Sequence, residues 1–140
     1  MNSQIKITME KLIKNNHTIL QSYKGVSESK IQQQIIEYFN NNYCLKHHNP
    51  RAVIFSIPNG GTRNKLEAIT LKATGLLAGV SDLIVILPNG KLIFVEIKTD
   101  TGKMSDKQIE FKQRVEDLGY EYWLIRNIEE FKNKIYENSK

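Results

Sequence analysis

Apolar residues recur along this chain at two periods, and the switches between them mark out the elements. Behind Ser27, Ile31, Ile35 and Phe39 follow one another four apart, which predicts a helix with a serine N-cap and one apolar face. AVIFSI (52–57) reads as a strand and PNGG (58–61) as a loop. Residues 64–74 read as a short helix whose apolar face is Leu66, Ile69 and Ala73, ended by Gly75. LIVIL and LIFV then flank the turn PNG, a β-hairpin. Ser105 and Gln108 form a capping-box pattern ahead of a helix marked by Phe111, Val115 and Leu118 and stopped by Gly119. YEYWLI (120–125) is a strand, and Asn127 with Glu130 caps a last helix through Phe131 and Ile135. From Ser27 onward the order is α, β, α, β, β, α, β, α. That order predicts the α/β class, with a mixed central sheet flanked by helices. The length suits one domain over residues 27–140. Residues 1–26 precede it as an N-terminal extension with the helical spacing of Ile7, Leu12 and Ile19.

The hairpin turn fixes a register. Leu87-Pro88-Asn89-Gly90 fits a type I turn, and a left-handed Gly90 makes a three-residue loop with a bulge. Paired positions then sum to 178, so Asp82 falls opposite Glu96 on one face, with Lys98 on that face by period two. A two-residue Asn-Gly loop would make the sum 179 and put the acids on opposite faces. Two facing carboxylates repel, and a divalent cation held by both offsets that repulsion. One or two carboxylates with water and phosphate completing the shell describe a Mg²⁺ site. The plainer alternative is a pair of acids at fraying strand ends, neutralised by Lys98 as a surface ion pair. Glu28 and Gln108 extend the apolar faces of their helices toward the same place. Each also has a local explanation, Glu28 as favourable first-turn charge and Gln108 as part of the capping box.

Charge sharpens the picture. Residues 1–80 hold ten Lys/Arg against four Asp/Glu, whereas residues 101–140 hold eight of each, so the excess of +5 comes from the N-terminal part. Lys46, Arg51, Arg63, Lys65 and Lys72 face only Glu67 between positions 44 and 75, a basic run suited to a polyanion. Arg63, Lys65 and Lys72, with Asn59 and Gly60 of the loop, are the candidate nucleic-acid contacts. No apolar run reaches the ~18 residues of a membrane span, so no membrane partner is expected. The N-terminus lacks a signal-peptide core, and a cytoplasmic location is expected. Cys44, the single cysteine, forms no internal disulfide. With His47 and His48 it lacks a fourth zinc ligand at suitable spacing, and the stretch reads as a polar loop.

Taken together, SES-x-IQ at a helix start, PNGG-x-R, GVSDLIVI, FVEIKT and SDKQIEF resemble the VRR-NUC domain, a branch of the PD-(D/E)XK nucleases. The likeness covers roughly residues 27 to 131. It implies a restriction-endonuclease-like core and Mg²⁺- or Mn²⁺-dependent hydrolysis of DNA phosphodiesters. By this resemblance Asp82, Glu96, Lys98, Gln108 and Glu28 form the catalytic set. Asp82, Glu96, the carbonyl of Ile97 and Glu28 hold the metal, and Gln108 orients Lys98 or the attacking water. Ser81 departs from the family at a position where members often carry proline. The chemistry leaves open whether burial lowers the Lys98 pKa or the acids raise it, so no general base is assigned. The expected activity is a structure-specific endonuclease on branched DNA such as a Holliday junction, working as a homodimer without a nucleotide cofactor. The extension buries its apolar residues either on its own domain or across the partner. The alternatives are a non-catalytic DNA-binding module on the same fold and a sequence-specific restriction-type endonuclease.

Overall fold

The computed structural model describes residues 3–22, 25–58 and 64–140. In chain order the elements are α1 (Ser3–Ser22), α2 (Glu28–Tyr43), β1 (Val53–Ser56), α3 (Lys65–Ala73), β2 (Leu83–Ile86), β3 (Leu92–Ile97), α4 (Asp106–Asp117), β4 (Glu121–Ile125) and α5 (Ile128–Asn138). The strands form one sheet in the order β1-β2-β3-β4. β1, β2 and β3 are antiparallel neighbours, and β4 lies parallel to β3 after the crossover through α4. This is the mixed α/β sheet that the alternating pattern predicts.

The helix starts follow from side chains that satisfy otherwise unpaired backbone N–H groups. Ser27 caps α2 by accepting from Lys30, Asn64 caps α3 by accepting from Glu67, and Asn127 caps α5 by accepting from Glu130. Ser105 and Gln108 make the reciprocal capping box of α4. In the hairpin, Leu87 N–H donates to Lys91 at 2.9 Å and Gly90 N–H to Leu87 at 2.8 Å. Gly90 supplies the left-handed residue at φ +84°. Every β2–β3 pair, from Leu83 with Val95 to Ile86 with Leu92, sums to 178, as the three-residue loop requires.

One sheet face is the main core. Ile31, Ile35 and Phe39 of α2 and Ile128, Phe131 and Ile135 of α5 pack there on Leu83, Val85, Ile93, Val95, Ile97, Trp123 and Ile125. On the other face α4 covers the β3–β4 half, where Phe111 and Val115 meet Tyr122 and the half-buried Phe94. The β1–β2 half of that second face stays open, with Val53 and Phe55 exposed.

Two apolar readings need correcting. Leu66 and Ile69 of α3 are 79% and 64% exposed, and the helix buries none of its residues, because no described element packs on it. Leu118 is 74% exposed, since it is the C-cap of α4 rather than a member of its packed stripe. Ile7 and Leu12 of α1 are exposed on this chain, so its own domain does not bury them.

Candidate active site

The hairpin places the two acids where the register puts them. Asp82 sits just before β2, one position beyond the Leu83–Val95 pair, facing Glu96 on the longer β3. Asp82 Oδ2 accepts the backbone N–H of Ile97 at 2.8 Å, which ties it to the strand that carries Glu96. Glu96 is fully buried and Lys98 nearly so, the only charged side chains in that state among the described residues. Lys98 Nζ donates to Glu96 Oε1 at 2.6 Å and to the Ile97 carbonyl at 3.3 Å, with Glu28 Oε1 at 3.8 Å. Gln108 Nε2 donates to the same Glu96 oxygen at 2.5 Å, while its Oε1 accepts Ser105 N–H. Gln108 therefore holds Glu96, not Lys98, and the capping box that orients it serves the site directly.

One backbone device brings α4 this close. Gly79 has φ +82°, and a Cβ there would lie 2.3 Å from the Lys107 carbonyl and 2.8 Å from Gln108 N. Only glycine lets the loop before Asp82 meet the first turn of α4. Ser81, the departure from the family pattern, is fully buried, and its hydroxyl donates to the Leu83 carbonyl at 3.2 Å.

Burial raises the Asp82 carboxyl above the ordinary range; the Ile97 N–H and Lys98 oppose the rise and Glu28 adds to it. Burial also raises Glu96, with Lys98 opposing and Asp82 and Glu28 reinforcing. For Lys98 burial pulls downward, but the hydrogen bond and charge of Glu96, with Glu28 and Asp82, outweigh it, so its pKa is raised. Attraction thus settles the competition that the sequence leaves open, and Lys98 is an ammonium at neutral pH. Glu96 Oε2 is buried without a hydrogen-bond partner, as is the Tyr122 hydroxyl on the same sheet face. A buried, unpartnered carboxylate oxygen beside a second acid and a backbone carbonyl is a donor set suited to a hard cation. No three His, Cys, Asp or Glu side chains gather closely enough to hold an ion among the described residues. The donors available are therefore Asp82, Glu96 and the Ile97 carbonyl, with Glu28 farther out and 47% exposed. His48 Nδ1 accepts Leu45 N–H at 2.9 Å, which spends that nitrogen on the loop and agrees with the polar-loop reading of CLKHHN.

The basic side chains are only partly gathered. Asn59, Gly60 and Arg63 lie outside the described residues. Lys65 and Lys72 are exposed on α3. Lys72, Leu76 and Leu77 line a groove of about 200 Å³ with Lys107, Glu110 and Arg114 of α4. Sequence reasoning misses Lys107 and Arg114 because residues 101–140 are balanced in charge. It also misses Arg126, whose guanidinium donates to the carbonyls of Thr99, Asp100 and Gly102 in the loop after Lys98. Nothing in the spacing of Arg126 gives that contact away.

No helix among the described residues is long and apolar enough to cross a membrane. No curated protein matches the chain. Among solved structures, one described as a VRR_NUC domain protein superposes with a TM-score of 0.64 at 20% identity, over 81% of this chain and 88% of its own. A second, described as a VRR_NUC domain, gives 0.53 at 21% identity, over 81% and 97%. These likenesses establish a shared fold. The family model for the VRR-NUC domain matches residues 21–126, which take in every acid, the lysine and the glutamine of the site. The chain belongs to the VRR-NUC domain family, a nuclease-type module for processing DNA.

Proposed function

We propose that this protein is a Mg²⁺- or Mn²⁺-dependent DNA endonuclease of the PD-(D/E)XK type, specific for branched structure. The observation that carries the reading is the facing pair Asp82 and Glu96, raised in pKa by burial, with the Lys98 ammonium on Glu96. Such a pair costs stability in the folded chain, and strongly perturbed carboxylates in one place mark a site of chemistry. Asp82, Glu96 and the Ile97 carbonyl would hold the cation, with Glu28 beside them, meeting it directly or through water. When bound, the cation polarises the scissile phosphate and lowers the pKa of a bound water.

The chain's own residues then have separable tasks. Asp82 and Glu96 supply the negative charge that selects the cation. Gln108 fixes the orientation of Glu96 through Oε1 and leaves Oε2 for a ligand. Lys98, charged and anchored by Glu96, places positive charge where negative charge builds up on phosphate oxygens. Lys72, Lys107 and Arg114 offer the duplex backbone a cationic groove.

Selectivity for branched DNA would come from a two-fold homodimer, with residues 1–26 as an extension outside the nuclease unit of 27–140. Two unpartnered apolar surfaces support that reading: the exposed Ile7, Met9, Leu12 and Ile13 of α1, and the exposed Val53 and Phe55 beside the half-buried Ile84 and Ile86. The decisive experiment compares cleavage of linear, flapped and four-way DNA with Mg²⁺, with Mn²⁺ and with chelator. Metal-dependent cutting of the four-way substrate in preference to linear duplex is expected. No cutting of any substrate with either metal would leave the DNA-binding module as the better reading.

A further inference from the structure

Lys98 stands one residue past β3, where its side chain meets Glu96, Glu28 and the Ile97 carbonyl. Its position also depends on the loop that follows. Thr99 to Gly102 turn sharply, with Gly102 N–H donating to the Thr99 carbonyl at 3.2 Å and to Thr99 Oγ1 at 3.1 Å. The turn lies against the lysine stem: a Cβ at Gly102 would stand 3.4 Å from Lys98 Cδ and 3.0 Å from Thr99 Oγ1. A four-carbon stem with free rotamers would let the ammonium wander. The loop removes that freedom on one side, as Glu96 does at the tip.

A loop with so few contacts of its own needs an anchor. Arg126, just past β4, provides it from the neighbouring strand. One guanidinium nitrogen donates to the carbonyls of Thr99 and Gly102, the latter at 2.9 Å, with Asp100 at 3.4 Å. The Arg126 backbone is held in turn, its N–H donating to Glu130 Oε2 at 2.8 Å. Lys98 N–H donates to the Ile125 carbonyl at 3.0 Å, so both ends of this arrangement hang on the end of β4.

We propose that Arg126 is a positioning residue for Lys98: by gathering the carbonyls of the 99–102 turn it presses that turn on the lysine stem and fixes where the ammonium stands. This rests on the nuclease reading for its effect on cleavage, but not for its effect on Lys98 itself. A lysine at 126 keeps the charge but lacks the rigid planar guanidinium that sets Nη1 among these carbonyls.

The test uses Arg126→Lys, with Arg126→Met as a second variant that keeps the apolar stem without the donors. Two quantities are read in each. One is the rate at which Lys98 is reductively methylated in the metal-free protein, followed by mass spectrometry. The other is kcat for cleavage alongside Mn²⁺ affinity measured by titration. Methylation of Lys98 should rise severalfold while other lysines stay unchanged. The value of kcat should fall by about ten- to a hundredfold, the scale of a misplaced catalytic group, with Mn²⁺ affinity held within about twofold. Unchanged methylation of Lys98 in a folded variant would overturn the proposal. So would a parallel loss of Mn²⁺ affinity and kcat, which would mean that Arg126 supports the acids. Labelling needs no cleavage, so it decides the positioning role even if the wild type cuts no DNA.

Discussion

Asp82 Oδ2 accepts the Ile97 N–H at 2.8 Å, so the acid that opens β2 is fixed to the strand that carries Glu96. That bond separates two functions of one side chain, holding the hairpin end together and binding a cation. Asp82→Asn keeps an acceptor for Ile97 and discards the charge. Cleavage should fall by at least about a hundredfold, within the range known for loss of one electrostatic contact at a reacting centre. The metal-free protein should at the same time gain about 0.5–2 kcal/mol, as happens when a functional site is relieved of its strain. Denaturant melts in chelator and a cleavage assay on the same sample measure both. Near wild-type cleavage by Asp82→Asn would remove this residue from the site.

The pH dependence of stability should change sign with metal. Asp82 and Glu96 have folded pKa values raised by burial, so the folded chain holds those protons more tightly than the unfolded one, where the values are about 3.9 and 4.3. Their contribution to stability is full below those unfolded values and is lost as pH rises through the raised ones. Lys98 has the same sign at higher pH: its contribution is full below about 10.4 and is lost only above its own raised pKa. Without divalent cation, the wild type should therefore lose stability relative to Glu96→Gln as pH rises from about 4 toward neutrality. Saturating Mg²⁺ should reverse that difference, because the cation binds the ionised carboxylates. Identical profiles for the two proteins in chelator would show that the acids store no such cost.

Gly79→Ala tests the approach of α4. The new Cβ would meet backbone atoms of Lys107, which cannot swing aside as a side chain can. The left-handed conformation alone costs a non-glycine residue about 1–3 kcal/mol. The clash should also push the first turn of α4 away and take Gln108 off Glu96. Loss of stability should thus be accompanied by weaker Mn²⁺ binding. A destabilised variant with unchanged metal affinity would show that Gln108 can be repositioned at no cost to the site.

What the sequence reveals and conceals follows from the range of the forces involved. Caps and turns are local, so Ser27, Ser105, Asn127 and the Pro88-Asn89-Gly90 loop are readable, and the loop alone sets Asp82 opposite Glu96. The identity of the hydrogen-bond partners is not local. Gln108 is expected to orient Lys98 or water, and its bond to Glu96 emerges only once α4 is seated against Gly79. Arg126 is concealed because its three acceptors are backbone carbonyls, which leave no trace in composition. Leu66 and Ile69 mislead for the opposite reason: periodicity reports an apolar face, but not whether anything lies against it.

The groove between α3 and α4 should respond to salt. Each phosphate contact contributes about −0.9 to the slope of log K against log salt on B-DNA. Lys72→Ala and Arg114→Ala should each flatten the slope by about that amount and weaken all sequences alike. Lys107 is a poorer choice for this test because it pairs with Glu110 at 3.2 Å. Binding titrations at several salt concentrations, in Ca²⁺ to prevent cutting, measure the slope. Unaltered slopes in both variants would make these charges a solvated face.

The last prediction concerns the open half of the sheet. Val53 and Phe55 of β1 are 47% and 44% exposed, on the face they share with Ile84 and Ile86. An edge strand with exposed apolar side chains is a surface that proteins ordinarily cover. α1 presents Ile7, Met9, Leu12 and Ile13 to solvent and packs on no other described element. A two-fold dimer covers such surfaces in pairs, since whatever one copy buries the other buries too. It would also hold two active sites at a fixed separation, as paired cuts in a four-way junction require. Light scattering should give a dimer for the full chain, and Phe55→Lys should shift it toward monomer, because the charge has no partner in a buried apolar contact. A chain starting at Ser27 separates the two surfaces. If it is monomeric, α1 is part of the clasp; if it remains a dimer that Phe55→Lys dissociates, the sheet face alone suffices. A full-length chain that stays monomeric at concentrations where it cuts both strands of a junction in concert would rule the dimer out.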